Sequence, residues 1–410
     1  MTKVKPTHSR LRSLLRAGHE LIINGEPIER LVARVGRTPF YAYDRAALTT
    51  RIAQLRGALP ARVLLHYAIK ANPMPAVVHH MRGLVDGFDV ASHREMLVAL
   101  DSGMPASEIS FAGPAKQLPE LRAAVAAGIC INCESETELD RIADYAHEFG
   151  AARVALRVNP AFELKGSGMK MSGSPRQFGI DAARIPAAIA RLHELGLTFD
   201  GLHIFCGSQN LNADSIIEAN RLTVALASKL FAASASRPRF LNIGGGYGIP
   251  YFPGEQPLDI ATIGSALADT LEAHARELEG TDIVLELGRY LVGEAGYYVC
   301  RVSDIKESQG HTFVMVDGGL HHHLANSGNF GQVLRKNYPV VFGNRIDEVP
   351  NQTVTVVGPL CTPLDLVADR IDAPTLDVGD LVVVLQSGAY GFTASPHHFL
   401  SHPSPVEILV

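Results

Sequence analysis

The sequence predicts an α/β fold: a (β/α)8 TIM-like barrel followed by an all-β domain. Three observations carry this expectation. Eight short β-type runs alternate with helical patterns between about residues 61 and 290. After Arg289 strand-like runs follow one another with turns and little helix between them. At 410 residues the chain also exceeds what one hydrophobic core usually supports.

Residues 1–38 are expected to serve the β-domain, through a short apolar run at Leu21 and a Gly36-Arg37-Thr38-Pro39 turn. Residues 39–290 are assigned to the barrel. Its strand-like runs are VLLHYAIK from Val63, GFDVAS from Gly87, ISFAGP from Ile109, ICINCES from Ile129, VALRVNP from Val154, GLHIFCGS from Gly201, FLNIGGG from Phe240 and IVLELGR from Ile283. Eight strand–helix units are the number that closes a barrel. Between them Leu118, Leu121 and Val125, then Leu222, Leu226 and Leu230, then Ile260, Ile263, Leu267 and Leu271 recur at helical spacing, each an apolar stripe for covering a sheet. Residues 291–410 contain YYVCRVSDIKES, HTFVMVDGG, QTVTVVGPL, DLVVVLQSGAY and PVEILV, and form the C-terminal β-domain.

A formal charge of −5, with no extended basic run, gives no general affinity for nucleic acid or anionic membrane. No stretch of about 20 apolar residues marks a membrane span, and the basic start lacks a signal core, so a cytoplasmic protein is expected. Five cysteines, sparse and odd in number, fit reduced thiols; Cys130 and Cys133 face opposite sides of one strand, which argues against a metal or redox pair. No metal is expected. Lys3, Lys5, Arg10, Arg12 and Arg16 are read as a solvated tail, with a docking patch for an acidic carrier protein as the alternative.

Barrel enzymes place their chemistry at the C-terminal ends of the strands. There the runs end in Lys70, Asp89, Gly207 and Ser208, Gly244 to Gly246, and Glu286 with Arg289. A desolvated lysine favours the neutral amine that attacks an aldehyde, although a lysine snorkelling from a strand end is the plainer reading. Glycines after a late barrel strand let backbone N–H groups cradle a phosphate, or simply allow a tight turn. Glu286, flanked by leucines, needs a cation: Arg289, or the protonated ring nitrogen of a cofactor.

The motifs carrying these residues resemble the fold-type III pyridoxal-phosphate decarboxylases, whose barrel is alanine racemase-like and which include the diaminopimelate, ornithine and arginine decarboxylases. They are Tyr67-Ala68-Ile69-Lys70-Ala71-Asn72, Phe88-Asp89-Val90-Ala91-Ser92, Gly244-Gly245-Gly246-Tyr247-Gly248, Glu286-Leu287-Gly288-Arg289, Asp317-Gly318-Gly319, Gly358-Pro359-Leu360-Cys361 and Gly388-Ala389-Tyr390-Gly391, in the family's order. The resemblance implies pyridoxal 5'-phosphate carried as a Schiff base on Lys70, with Glu286 on its pyridine nitrogen and Asp89 among its contacts. It implies that Ser208, Gly244, Gly245, Gly246, Arg289 and Tyr390 hold the phosphate. Cys361 would come from the other subunit of a homodimer and deliver a proton after CO2 leaves.

Two departures from the family pattern bear on specificity. Phe205 occupies the place of the histidine that stacks on the cofactor, with His203 two residues earlier on the same strand face. Diaminopimelate decarboxylases have an arginine and a tyrosine after the Asp-Gly-Gly turn and a glutamate after the cysteine, whereas this chain has His321 to Phe330 and Thr362. His203, Asn329, Phe330 and Thr362 are therefore the expected substrate contacts, and His321, His322 and His323 the polar lining of a substrate entrance. The segment HHHLANSGNFGQ and the ending GAYGFTASPHHFLSHPSPVEIL look like a subgroup from secondary-metabolite and exopolysaccharide clusters, one member of which decarboxylates a carrier-tethered glutamyl group in butirosin biosynthesis. The expected substrate is thus a conjugated or carrier-tethered amino acid, with diaminopimelate, yielding L-lysine, as the alternative. A racemase or a non-catalytic regulatory homologue is disfavoured by the retained Lys70, Glu286 and Cys361 and by the Gly-Ala-Tyr-Gly ending.

Overall fold

In the computed structural model, the described residues are 7–9, 11, 14–162, 169–170, 175–232, 238–330, 332 and 335–410. The chain forms two compact units. One comprises Thr50–Ile249 and Leu258–Leu291; the other comprises Met1–Thr49, Pro250–Pro257 and Val292–Val410.

The first unit is a closed ring of eight parallel strands: Val63–Ala68, Gly87–Val90, Ile109–Phe111, Cys130–Cys133, Arg153–Asn159, Thr198–His203, Phe240–Gly245 and Asp282–Leu287. Each pairs with its chain neighbour, and the last pairs with the first in the register Glu286 to His66 and Leu287 to Tyr67. All eight expected runs are strands of this ring. The sixth begins at Thr198, earlier than its apolar run, and its pairing with the fifth shifts register between Phe199 and Gly201.

Helices follow the strands, and their starts obey local chemistry. Ser92 accepts the Glu95 N–H, Ser135 the Glu138 N–H and Asp259 the Thr262 N–H, so each helix opens on a side-chain cap. The expected stripes are rotated in two helices. In Leu118–Ala127 the buried positions are Leu121, Ala124 and Val125, while Leu118, at the first turn, is exposed. In Ala213–Ala232 the buried face runs through Thr223, Val224, Ala227 and Phe231 rather than Leu222 and Leu226. That face mixes small, polar and β-branched residues with Phe231, which a leucine periodicity does not register.

The second unit is built on one mixed sheet, in the order Val340–Phe342, Leu381–Val384, Gly296–Ser308, His311–Val316, Gln352–Val357 and Leu366–Ala373. Phe40–Tyr43 joins it, antiparallel to the start of Gly296–Ser308 and parallel to Val406–Leu409. The stretch expected to open the barrel at residue 39 therefore begins with a strand of the other unit. Leu21, Ile23, Ile28 and Leu31 pack with Phe40, Val299, Leu381 and Val383 in its core. Of the basic N-terminal residues, Lys3, Lys5, Arg10 and Arg12 lie outside the described residues, and Arg16 sits in a short exposed strand. Among the described residues no helix is long and apolar enough to cross a membrane.

Candidate active site

Alternation along the barrel strands sends every second side chain inward, and at the mouth these inward positions are polar. Lys70 does not end the first strand as its run suggests. The strand stops at Ala68, and Lys70 sits in a 3-10 turn, Ile69–Ala71, which lifts its amine over the mouth. Its Nζ stands 3.6 Å from Glu286 Oε1 and 5.7 Å from the centre of the Phe205 ring. The lysine side chain is 41% exposed and the glutamate side chain 2%, so the amine is reachable while the carboxylate is not.

Glu286 is held as an anion. Burial opposes its charge, but Lys70, His203 and Arg157 outweigh that and hold its carboxyl well below the usual carboxylate range. His203 Nε2 lies 3.0 Å from Glu286 Oε2, and Asn242 Nδ2 donates to the same oxygen at 3.4 Å. His203, expected among the substrate contacts, is thus a buried partner of the carboxylate. Asn242 also accepts the Gly244 N–H at 2.8 Å, which ties Glu286 to the glycine loop.

Asp89 is buried on the neighbouring strand. Ser110 Oγ donates to one of its oxygens, and His66 Nδ1 lies 3.3 Å from the other. Burial disfavours charge on His66, but Asp89 prevails and raises its pKa. Further round the ring, buried Arg157 donates to Glu134 at 2.7 Å, and Lys116 Nζ lies 3.2 Å from Glu138 Oε2. Sequence reading missed Asn242, Arg157 and His66. Their signal was present, since each interrupts an otherwise apolar strand with a polar group that the interior admits only when partnered.

The glycine loop lies against Ser208. Gly246 has φ +73°, and a Cβ there would fall 1.9 Å from the Gly207 carbonyl oxygen, so only glycine lets the two backbone segments meet. Its own carbonyl accepts the Asn210 N–H at 3.0 Å. Arg289 opens the short helix Arg289–Val292 and is half-buried. A buried anion, an amine over it, an aromatic ring beside the amine and a glycine cradle with a serine fit pyridoxal 5'-phosphate. Glu286 suits its ring nitrogen, and Ser208, the glycines and Arg289 suit its phosphate.

In the second unit Tyr390 is half-buried with φ +54°. Cys361 is exposed, whereas Cys130, Cys133, Cys206 and Cys300 are buried, and burial pushes the Cys130 and Cys133 thiols up. Asn329 is exposed and donates to Ser327 Oγ at 2.9 Å; Phe330 is 48% exposed, and Thr362 is half-buried. The histidine run is not an entrance lining. His321, His322 and His323 are interior, because their turn is packed under Tyr41, Tyr298, Ser387 and Pro403. His322 Nδ1 meets Tyr298 Oη at 3.1 Å and its Nε2 meets the Pro403 carbonyl at 2.9 Å. Neither ring nitrogen of His321 has a hydrogen-bond partner among the described residues.

Residues 45–293 match the family described as "Pyridoxal-dependent decarboxylase, pyridoxal binding domain". The chain is 41% identical over 383 residues to the L-glutamyl-[BtrI acyl-carrier protein] decarboxylase of Niallia circulans, covering 91% of this chain and 88% of that one. It is 32% identical to the 2-[(L-alanin-3-ylcarbamoyl)methyl]-2-hydroxybutanedioate decarboxylase of Staphylococcus aureus, covering 92% and 95%. The crystal structure of the diaminopimelate decarboxylase of M. jannaschii in complex with L-lysine superposes with a TM-score of 0.86 at 26% identity, covering 98% of this chain and 93% of that one. Sequence, fold and the lysine–glutamate–glycine constellation agree: the chain belongs to the pyridoxal-phosphate-dependent decarboxylases, the carboxy-lyases of amino acids.

Proposed function

We propose that the chain removes the α-carboxylate of an amino acid presented as a conjugate, with a glutamyl group tethered to an acyl carrier protein as the first candidate. The observation that carries this reading is the 41% identity, across nine-tenths of the chain, to a decarboxylase named for that substrate. A second relative is named for an amino acid joined through a carbamoyl link. The sequence agrees, because His321 to Phe330 and Thr362 stand where diaminopimelate enzymes carry the charged clamp for a free distal amino-carboxylate. Without those partners a charged distal group gains little for its desolvation.

Bound pyridoxal phosphate supplies the conjugated ring that accepts the electron pair left when CO2 departs. The chain's own groups do the rest. Lys70 would hold the cofactor through its amine. Glu286, kept anionic by Lys70 and His203, holds the proton on the ring nitrogen. Asp89 and Phe205 contact the ring, and Ser208, Gly244 to Gly246, Arg289 and Tyr390 hold the phosphate. Cys361 of the partner subunit gives its proton to the carbon that lost CO2, and Asn329, Phe330 and Thr362 contact the substrate. In this reading the enzyme is a cytoplasmic homodimer with shared active sites.

The test is CO2 release from glutamyl-carrier protein compared with free diaminopimelate, glutamate, ornithine, lysine and arginine. Preference for the tethered substrate is expected. Turnover of free diaminopimelate with kcat/KM of about 10⁴ M⁻¹s⁻¹ or more would return the enzyme to L-lysine synthesis.

A further inference from the structure

The proposed proton donor, Cys361, rides on a loop from Gly358 to Asp365, with Pro359, Pro363 and Leu364 exposed beside it. Such a loop has little packing of its own to fix a thiol. Besides hydrogen bonds within the loop, a buried carboxylate anchors it from beneath. Asp365 is 2% exposed, and its Oδ2 accepts the Leu360 N–H at 2.9 Å, one residue before the thiol. Its Oδ1 accepts the Leu320 N–H at 2.6 Å, one residue after the Asp317-Gly318-Gly319 turn. Its main-chain oxygen accepts the Gly358 N–H at 3.0 Å, closing the loop at its base.

The surrounding residues leave the carboxylate no other place. A Cβ at Gly319 would fall 2.2 Å from Oδ1, and one at Gly358 would fall 2.2 Å from Oδ2. The two glycines of the two motifs thus make room for the same side chain. A carboxylate accepting two main-chain N–H groups is a strong, directional anchor.

Resting on the reading of Cys361 as the proton donor, we infer that Asp365 is a positioning residue: it clamps the Cys361 loop to the Gly318–Leu320 turn and so sets where the thiol stands. It gives up no proton and touches no substrate. Its effect on turnover passes through Cys361.

Asp365→Asn keeps the volume but turns an NH2 group toward a main-chain N–H, so one of the two anchors is lost. Cys361 is the one exposed cysteine of five, so iodoacetamide alkylation of the holoenzyme followed by mass spectrometry reads its placement without turnover. The alkylation rate is expected to change by about threefold or more. With glutamyl-carrier protein, kcat is expected to fall about 10- to 100-fold while KM stays within about twofold. In a Cys361→Ala background the same substitution should cost less than about twofold. Unchanged alkylation, or an equal loss of kcat in both backgrounds, overturns the inference. Gly319→Ala, whose methyl would fall 2.2 Å from Oδ1 and so break that anchor, carries the same expectations should Asp365→Asn not fold. A Cys361→Ala enzyme with unchanged kcat would instead overturn the donor assignment, and the alkylation rate separates that failure from this one.

Discussion

Lys70 Nζ stands 3.6 Å from Glu286 Oε1, an amine reachable from the barrel mouth poised over a carboxylate that solvent does not reach. The lysine offsets part of the charge that burial penalises on the carboxylate. Lys70→Ala is therefore expected to lower CO2 release by at least about 10²-fold with the circular dichroism spectrum intact. Retention of wild-type turnover in that variant would remove Lys70 from the chemistry. Glu286→Gln should bind cofactor yet lose about 10²-fold in kcat, because an amide does not hold the ring proton; an unchanged kcat would count against that role.

Gly246→Ala tests the phosphate cradle. Its φ of +73° and the 1.9 Å approach to the Gly207 carbonyl leave no room for a methyl. Strain of about 1–3 kcal/mol at the loop should raise the apparent Kd for pyridoxal phosphate about tenfold or more, read by absorbance titration of the apoenzyme. An unaltered Kd would place the phosphate elsewhere.

Lys116→Met tests the buried ion pairs beside the mouth. Lys116 donates to the carbonyls of Gly113 and Asn132 and to Glu138, so methionine leaves the buried carboxylate of Glu138, in the first turn of the helix Glu136–Phe149, without its cation. A loss of about 3–5 kcal/mol in urea unfolding is expected. A loss below about 1 kcal/mol would mean the pair contributes no net stability.

The histidine turn predicts acid sensitivity. Burial lowers His321 to about 4 and His322 and His323 to about 3, the neighbouring imidazoles adding to the effect for the first two. These folded values lie below the unfolded one near 6.5, so the unfolded chain binds more protons, and stability falls as pH drops from about 6.5 toward 4. The thermal midpoint is expected to fall by roughly 5 °C or more between pH 7.5 and 5.5. His321→Phe, which replaces a ring with no hydrogen-bond partner among the described residues, should shallow that fall. An identical pH slope in wild type and variant would exclude His321 as a source.

The barrel was legible because each strand had to end at one mouth, and the residue types there, lysine, aspartate, glycine and glutamate, already named a chemistry. What the run of letters did not carry was direction. His203 was visible as a polar residue on a strand, but only the pairing of the sixth, seventh and eighth strands brings it to Glu286. The adjacent histidines read as the polar lining of a substrate entrance because burial is unfavourable for imidazoles; Tyr298, Ser387 and Pro403, which accommodate two of them, come from distant parts of the chain. Asp365 was invisible for the same reason, since nothing local marks a carboxylate whose partners are main-chain N–H groups.

The first and last strands of the barrel are neighbours, and this bears on synthesis of the chain. Lys70 emerges from the ribosome early and Glu286 late, and the two meet only when Asp282–Leu287 pairs with Val63–Ala68. A nascent chain that has not reached Asp282 exposes the amine without the acid. Such long-range closure is slow compared with helix formation. The lysine and its acid thus become neighbours only at the last act of barrel folding, in molecules whose ring has shut.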